Sequence, residues 1–310
     1  MKQSDCESSK ATELQIFLVE AIKAFVAESP TNRLKDIDGS PIFEEPLVGF
    51  ADGDDQLFDL YKTVVGERHL TPREALAAHW RVSSELEPPE FPRIGVVSWI
   101  LPLAKETRLS NRKMKDGPSL RWNHTRFQGE SFNDDVRRHV VSLLQEKGYI
   151  AVPPMLAPFF KTYRSATVGS TSTWSERHAA YAAGLGTFSL SDGLITARGL
   201  AHRCGSVVVN AGFVPDQRVY SHHLEYCPYP QDGSCGVCIE RCPTGAIGPN
   251  GHDKEKCRET LQVTLKPFLQ RPGYIGSYAA CGLCQTKVPC ESRIPRRASV
   301  EGVPATGVIE

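Results

Sequence analysis

Cys227, Cys235, Cys238 and Cys242 form one group and Cys257, Cys281, Cys284 and Cys290 a second, so eight of the chain's ten cysteines fall in one short stretch. Thiols this numerous and this close together are ligands for soft metals. Within the first group, Cys235-Gly236-Val237-Cys238-Ile239-Glu240-Arg241-Cys242-Pro243 has C-x2-C-x3-C-P spacing. Closely spaced thiolates on such a turn grip one iron–sulfur cubane, and the cysteine before proline is freed for a neighbouring cluster. The chemistry on offer is one-electron transfer.

That run is half of the pattern found in bacterial two-cluster ferredoxins, and Thr244-Gly245-Ala246-Ile247 continues its turn. Two positions depart from it. Three residues before Cys235, where another cysteine would stand, the chain has Asp232. Cys227 is expected to loop in as the missing thiolate, across a segment that Pro228, Pro230 and Gly233 let turn; the Asp232 carboxylate is the other candidate. Five residues separate Cys284 from Cys290, and Pro289 precedes the last cysteine. By analogy with two-cluster ferredoxins, Cys227, Cys235 and Cys238 pair with Cys290, and Cys242 with Cys257, Cys281 and Cys284, holding two 4Fe–4S clusters. Zinc would suit the two C-x2-C units at 235/238 and 281/284, but the C-x3-C-P-T-G-A-I tail has no role in a zinc ribbon. Disulfides would need an oxidising compartment. Cys6 and Cys204 read as bystanders.

The remaining elements must position this chemistry. At 310 residues the chain has room for two domains, and 40% apolar with 23% charged residues is an ordinary globular composition. Lys plus Arg equals Asp plus Glu at 36 each, which gives no general field for nucleic acid or anionic membrane. No apolar run approaches the ~20 residues of a membrane span, and Met-Lys-Gln-Ser-Asp-Cys-Glu opens without a secretory signal, so a cytoplasmic location is expected. Residues 1–90 read as a helical region, with helices over 11–28, near 57–61 and from Thr71-Pro72 to about 83. Residues 91–220 read as an α/β (α+β) domain, with a buried strand over 94–103 and a polar, basic loop over 104–130. A helix capped by Ser131 runs to Lys147 and Gly148, and a short strand covers 149–152. A Ser/Thr/Gly loop over 164–173 leads to a helix over 174–183, then strands near 194–196 and 206–210. The cysteine module occupies 221–300, and 301–310 is a tail.

Glu176-Arg177, Ala183-Gly184-Leu185-Gly186, Gly193-Leu194-Ile195-Thr196 and Gly205-Ser206, followed by Cys-Pro-Thr-Gly-Ala-Ile at 242–247, resemble in order the epoxyqueuosine reductase family, related to corrinoid-dependent reductive dehalogenases. The resemblance spans roughly residues 90–290. It implies a nitroreductase-like amino-terminal domain that binds cobalamin, with Glu176, Arg177, Gly184, Leu185, Gly186, Ile195, Thr196, Gly205 and Ser206 as cofactor-binding positions. The glycines would let backbone approach the corrin, since they lack Cβ; they would equally serve as a helix C-cap. The family's general acid, an aspartate, aligns with Ser170, whose hydroxyl is a poor proton donor. Tyr181, His178, Tyr163 or a residue of 104–130 is the expected substitute.

The implied activity is reduction of a small organic substrate at cobalamin, with electrons from an external ferredoxin- or flavodoxin-type donor. The 104–130 and 164–173 loops would contact substrate and corrin tail. The alternatives are a corrinoid-free electron-transfer protein or a reductive activator of a separate corrinoid protein. An epoxyqueuosine reductase with an altered acid ranks below both. The chain has no helical-repeat segment after Cys290 and no net charge, which makes tRNA an unlikely partner. D-x-H-x2-G is absent too: Leu200 stands where its aspartate would be, ahead of His202 and Gly205.

Overall fold

The computed structural model describes residues 2–296, with side chains from residue 9; the expected 301–310 tail lies outside them. Its centre is a four-stranded antiparallel sheet in the order β1 (Leu47–Asp52), β2 (Gly95–Pro102), β8 (His202–Val209), β3 (Ala151–Val152). The register sets Leu47 opposite Ile100 and Val97 opposite Val207. All eight residues of β2 are buried, as a central strand covered on both faces requires. The frame is therefore a mixed α and β fold on an antiparallel sheet.

Alternation along the strands sorts side chains to two faces. Val97, Trp99, Val207 and Val209 meet α1 (Lys2–Glu28) through Leu18 and Ile22, and α5 (Leu120–Glu146) through Phe132, Val136 and Val140. Val96 and Val208 face α2 (Leu57–Val64), α3 (Pro72–Ser84) and α6 (Glu176–Ala182), through Phe58, Leu76 and Ala179. Strand β1 lies within residues 1–90, so that segment shares the sheet with residues 91–220 and is not wholly helical. Its Gly and Pro neighbours hid it.

The 104–130 segment is not a loop. It forms α4 (Lys105–Arg112) and the first turns of α5. The cap of α5 is Ser119, whose hydroxyl accepts from the Trp122 N–H at 3.1 Å, and Ser131 lies mid-helix. Apolar periodicity missed this because the buried face of α5 is polar. Asn123 exchanges hydrogen bonds with Ile275 at 2.8 and 3.0 Å, His124 bonds the Gly273 carbonyl at 2.7 Å, and Asn133 accepts from the Trp99 indole at 2.9 Å. Helix α3 starts as its sequence implies, in a reciprocal capping box of Thr71 and Glu74 with Pro72 in the first turn.

The 164–173 stretch is likewise ordered, as a hairpin of β4 (Thr162–Ser165) and β5 (Gly169–Ser172). A second hairpin pairs β6 (Gly186–Phe188) with β7 (Leu194–Thr196). Beyond residue 220 come α7 (Pro228–Asp232), α8 (Val237–Arg241), the two-residue pair β9 (Ile247–Gly248) and β10 (Gly251–His252), and α9 (Lys254–Glu259), followed by irregular turns. This region is tied to α4. Arg112 donates to the buried Glu291 at 2.8 and 3.0 Å, and Asn111 donates to the Thr286 hydroxyl at 3.1 Å. No helix of the described residues is long and apolar enough to cross a membrane.

Candidate functional site

The eight cysteines of the module sort into two quartets. Cys227, Cys235, Cys238 and Cys290 line one small cavity, walled also by Ser189, Tyr229 and Pro289. Cys242, Cys257, Cys281 and Cys284 line another, with Trp122, Arg177 and Tyr278 among its walls. Cys227 caps the start of α7, Cys238 sits in α8, Cys242 ends that helix, and Cys257 sits in α9. Asp232 is exposed at the end of α7, where its carboxylate accepts from the Ser234 N–H at 2.8 Å, and it is not part of the cavity wall. All nine cysteines with described side chains are free of disulfides. Among the described residues no three His, Cys, Asp or Glu side chains are arranged to hold a single metal ion.

Burial pushes the thiols of Cys238 and Cys281 up to about 11 and raises those of Cys227, Cys284 and Cys290 as well. Cys242 goes the other way. Burial would raise it too, but the backbone N–H groups of Thr244, Ile247 and Ala246 outweigh burial and favour the thiolate. The Ala246 N–H lies 3.2 Å from its sulfur. These donors come from the Thr-Gly-Ala-Ile turn, which so earns its place after Cys242-Pro243. Cys204, in β8, is pushed up to about 12 by burial and takes no part in either quartet.

Beside the quartets lies a cleft of two lobes. One, about 710 Å³, is walled by the β4–β5 hairpin, α6 and α9; the other, about 670 Å³, lies between α2, α6 and the 221–230 segment. They share Val64, Arg177, His178 and Lys254, and Arg177 also reaches the wall of the second-quartet cavity. The candidate acids distribute between the lobes. Ser170 lines the first, Tyr181 the second and His178 both. Ser170 donates its N–H and its hydroxyl to Glu255 Oε1, at 3.0 and 2.6 Å. His178 is fixed through Nδ1 to the Ser175 hydroxyl at 2.8 Å, and burial holds its pKa well below the usual histidine range. Burial raises the Tyr181 phenol, so it keeps its proton at neutral pH. Tyr163 accepts the Arg68 N–H at 2.9 Å.

Most of the expected cofactor positions face protein. Gly184, at φ +74°, ends α6, and a Cβ there would approach Gln217 and Asp216. A Cβ on Gly186 would strike the Ile195 carbonyl at 2.1 Å across the hairpin, and one on Gly205 would strike the Trp99 ring at 2.4 Å. Leu185 packs into the core, Ile195 and Thr196 are fully buried, and the Thr196 hydroxyl donates to the Gly199 carbonyl at 2.9 Å. Ser206, also fully buried, donates to Glu176 and accepts from the Trp174 indole at 3.0 Å. Glu176 in turn holds Arg137 at 3.1 and 3.2 Å. Of these positions Glu176 and Arg177 reach the cleft, and the others position the elements around it.

The residues the sequence reading missed are Lys254, Glu255 and Arg258; Arg164 opens the 164–173 stretch that was expected to contact the ligand. Hairpin and α9 lie more than eighty residues apart in the chain, and no local pattern joins them.

No protein-family model matches the chain. Epoxyqueuosine reductase of Bacillus anthracis is 34% identical over 124 residues, 38% of this chain and 30% of that protein. An uncharacterised protein of Geobacillus stearothermophilus is 35% identical over 89 residues, 27% of this chain and 37% of that protein. The matched part thus spans about a third of each curated relative's length. Among solved structures, an epoxyqueuosine reductase with an epoxyqueuosine-modified tRNA-Tyr stem loop aligns at TM-score 0.48 and 18% identity, over 91% of this chain and 66% of that one. A reductive dehalogenase aligns at TM-score 0.48 and 16% identity, over 82% and 30%. Over part of its length, then, the chain is similar in sequence to an epoxyqueuosine reductase, of the family its motif order resembles.

Proposed function

We propose that the chain is a cytoplasmic iron–sulfur oxidoreductase that passes electrons from two 4Fe–4S clusters to a cobalamin in the two-lobed cleft, to reduce a small organic substrate. The observation that carries this reading is the sorting of eight cysteines into two quartets, in the pairing of a two-cluster ferredoxin-like module. Cys227, Cys235, Cys238 and Cys290 would hold one cluster, and Cys242, Cys257, Cys281 and Cys284 the other. Iron would convert to thiolates the thiols that burial keeps protonated. When bound, the clusters supply single electrons and the corrinoid a strongly reducing cobalt. In this reading the macrocycle would take the paired lobes of about 710 and 670 Å³, whose walls do not include the 183–186 turn.

The protein's own groups have distinct tasks in this reading. Arg177 borders the second quartet and both lobes, so its guanidinium stands where charge moves between them. Tyr181 carries a proton into the second lobe and is the donor of choice there. His178, neutral and held by Ser175, orients what lies between the lobes. Ser170 donates a hydrogen bond from its hydroxyl to Glu255 and positions that carboxylate. The electrons come from an external ferredoxin- or flavodoxin-type donor.

Two other readings each have an observation behind them. The closed glycine turn favours a corrinoid-free electron carrier, or a reductive activator of a separate corrinoid protein. Four basic side chains, Arg164, Arg177, Lys254 and Arg258, line the first lobe, which keeps an RNA-borne substrate in view, and with it a tRNA epoxyqueuosine reductase using a different acid. The deciding experiment is anaerobic: reconstitute the clusters, incubate with hydroxocobalamin, desalt, and record paramagnetic resonance after mild reduction. Retained base-off cobalt(II), near stoichiometric with protein, supports the corrinoid reductase. Clusters without cobalt favour the carrier or activator, and absence of clusters defeats all three. Turnover of epoxyqueuosine in tRNA from a strain lacking the reductase would select the last reading.

A further inference from the structure

The first lobe has an unbalanced charge. Arg164 from β4, Arg177 from α6, and Lys254 and Arg258 from α9 all line it. One of them, Arg164, meets a carboxylate, Glu255 Oε2 at 2.9 Å. The hydrogen bond of Arg258 goes to the neutral Ser170 hydroxyl at 3.3 Å, and that of Arg177 to the Asp192 carbonyl. The Lys254 ammonium makes no hydrogen bond or ion pair among the described residues. Glu176, the acid in that wall, is committed to Arg137, and a further carboxylate, Asp192, which feels Arg177 and Lys254, lines the second lobe. With 36 basic and 36 acidic residues in the chain, this is a local concentration of charge and not a share of a general excess. Behind the cations the floor is apolar and aromatic, with Val65, Met155, Phe160 and Trp174.

A concave wall in which cations outnumber carboxylates focuses a field that attracts anions, and arginine forks suit the oxygens of phosphate and carboxylate. We propose that the lobe is an anion subsite: it takes the phosphate or carboxylate of a ligand whose remaining body is flat and apolar and lies over the half-buried Met155 and Phe160. The proposal rests on the cleft being the substrate's, but requires neither cluster nor corrinoid to be bound.

The test is equilibrium binding of 1-naphthyl phosphate against 1-naphthol to the full chain, with iron measured on the same samples. The phosphate is expected to bind at least about tenfold tighter than the naphthol, the size of one or two charge-assisted hydrogen bonds. Lys254→Gln with Arg258→Gln should remove most of that preference and leave naphthol binding unchanged. Lys254→Gln alone, at a side chain with no hydrogen bond to lose, should remove part of it and guards against misfolding. A short RNA stem-loop added as competitor separates the two sources of phosphate: displacement of the naphthyl phosphate assigns the subsite to a strand, and no displacement to a free small molecule. Equal binding of the two naphthyl compounds, or wild-type behaviour in the double variant, overturns the proposal. Iron-loaded protein with no phosphate preference would fail the subsite and spare the cluster reading; iron-free protein that keeps the preference would do the reverse.

Discussion

Ser170 donates both its backbone N–H and its hydroxyl to one oxygen of Glu255, eighty-five residues further along the chain. A carboxylate has thus arrived in space where the sequence supplies only a hydroxyl. The Ser170 hydroxyl, its N–H and the Arg164 guanidinium hold the Glu255 carboxyl below its usual range, so at neutral pH it is an anion and not a proton donor. It already engages Arg164, one of the cations of the first lobe, at 2.9 Å. Glu255→Gln should therefore tighten 1-naphthyl phosphate binding, by roughly three- to tenfold if one charge contact is freed. Weaker binding in that variant would show that Glu255 supports the cations and does not compete for them.

The quartets give a sharper expectation. Cys290→Ala and Cys284→Ala should each lower reconstituted iron from roughly eight to roughly four atoms per chain, and each should abolish a different resonance signal. Cys227→Ala should behave like Cys290→Ala, whereas Asp232→Ala should keep its full iron, because Asp232 stands outside the cavity that Cys227 lines.

Arg137 is buried to 1% exposure amid Glu176, Glu130 and Asp134, at 3.1, 3.2 and 2.6 Å. Arg137→Met removes the one cation these carboxylates converge on inside the fold. Breaking a buried pair from one side costs on the order of 3–5 kcal/mol, to be read from urea unfolding. Glu176→Gln, which keeps an oxygen for Arg137, should cost less than half of that.

His69 is 1% exposed, stacked on Trp174 with centroids 5.6 Å apart, and neither ring nitrogen has a partner. Burial lowers its pKa from 6.5 to about 4. The folded state thus resists a proton that the unfolded chain accepts, so its stability is intact above pH 6.5 and is lost as pH falls from there towards 4. His69→Phe keeps the stack and removes the titration. Denaturant midpoints of wild type and variant should diverge in the variant's favour between pH 6.5 and 4.5; parallel curves would remove His69 from the account.

What the sequence disclosed, it disclosed through short-range rules. The C-x2-C-x3-C-P run, the Thr71-Pro72 helix start and the apolar β2 each depend on neighbours a few residues away. The first half of α5 escaped because its buried face carries Asn123 and His124, whose partners lie on distant segments, whereas its second half was legible as a helix. The cationic lobe escaped for a related reason, since a hairpin and α9 build it and neither has a motif. The glycine turn was legible as a turn, but only the fold shows Asp216, Gln217 and Ile195 against it.

The clasp between α4 and the final turns has a consequence for the life of the protein in a cell. The Cys290 carbonyl accepts from the Leu200 N–H at 2.8 Å, and Glu291 next to it is gripped by Arg112. The last thiol of the first quartet is thereby stitched to both the helical layer and the strand leading into the sheet. If that quartet holds the proposed cluster, losing it would leave the stitch as a main tie between this segment and the sheet, and its release would expose backbone there. Damage at the proposed cluster would then be felt first in the backbone at the edge of the sheet.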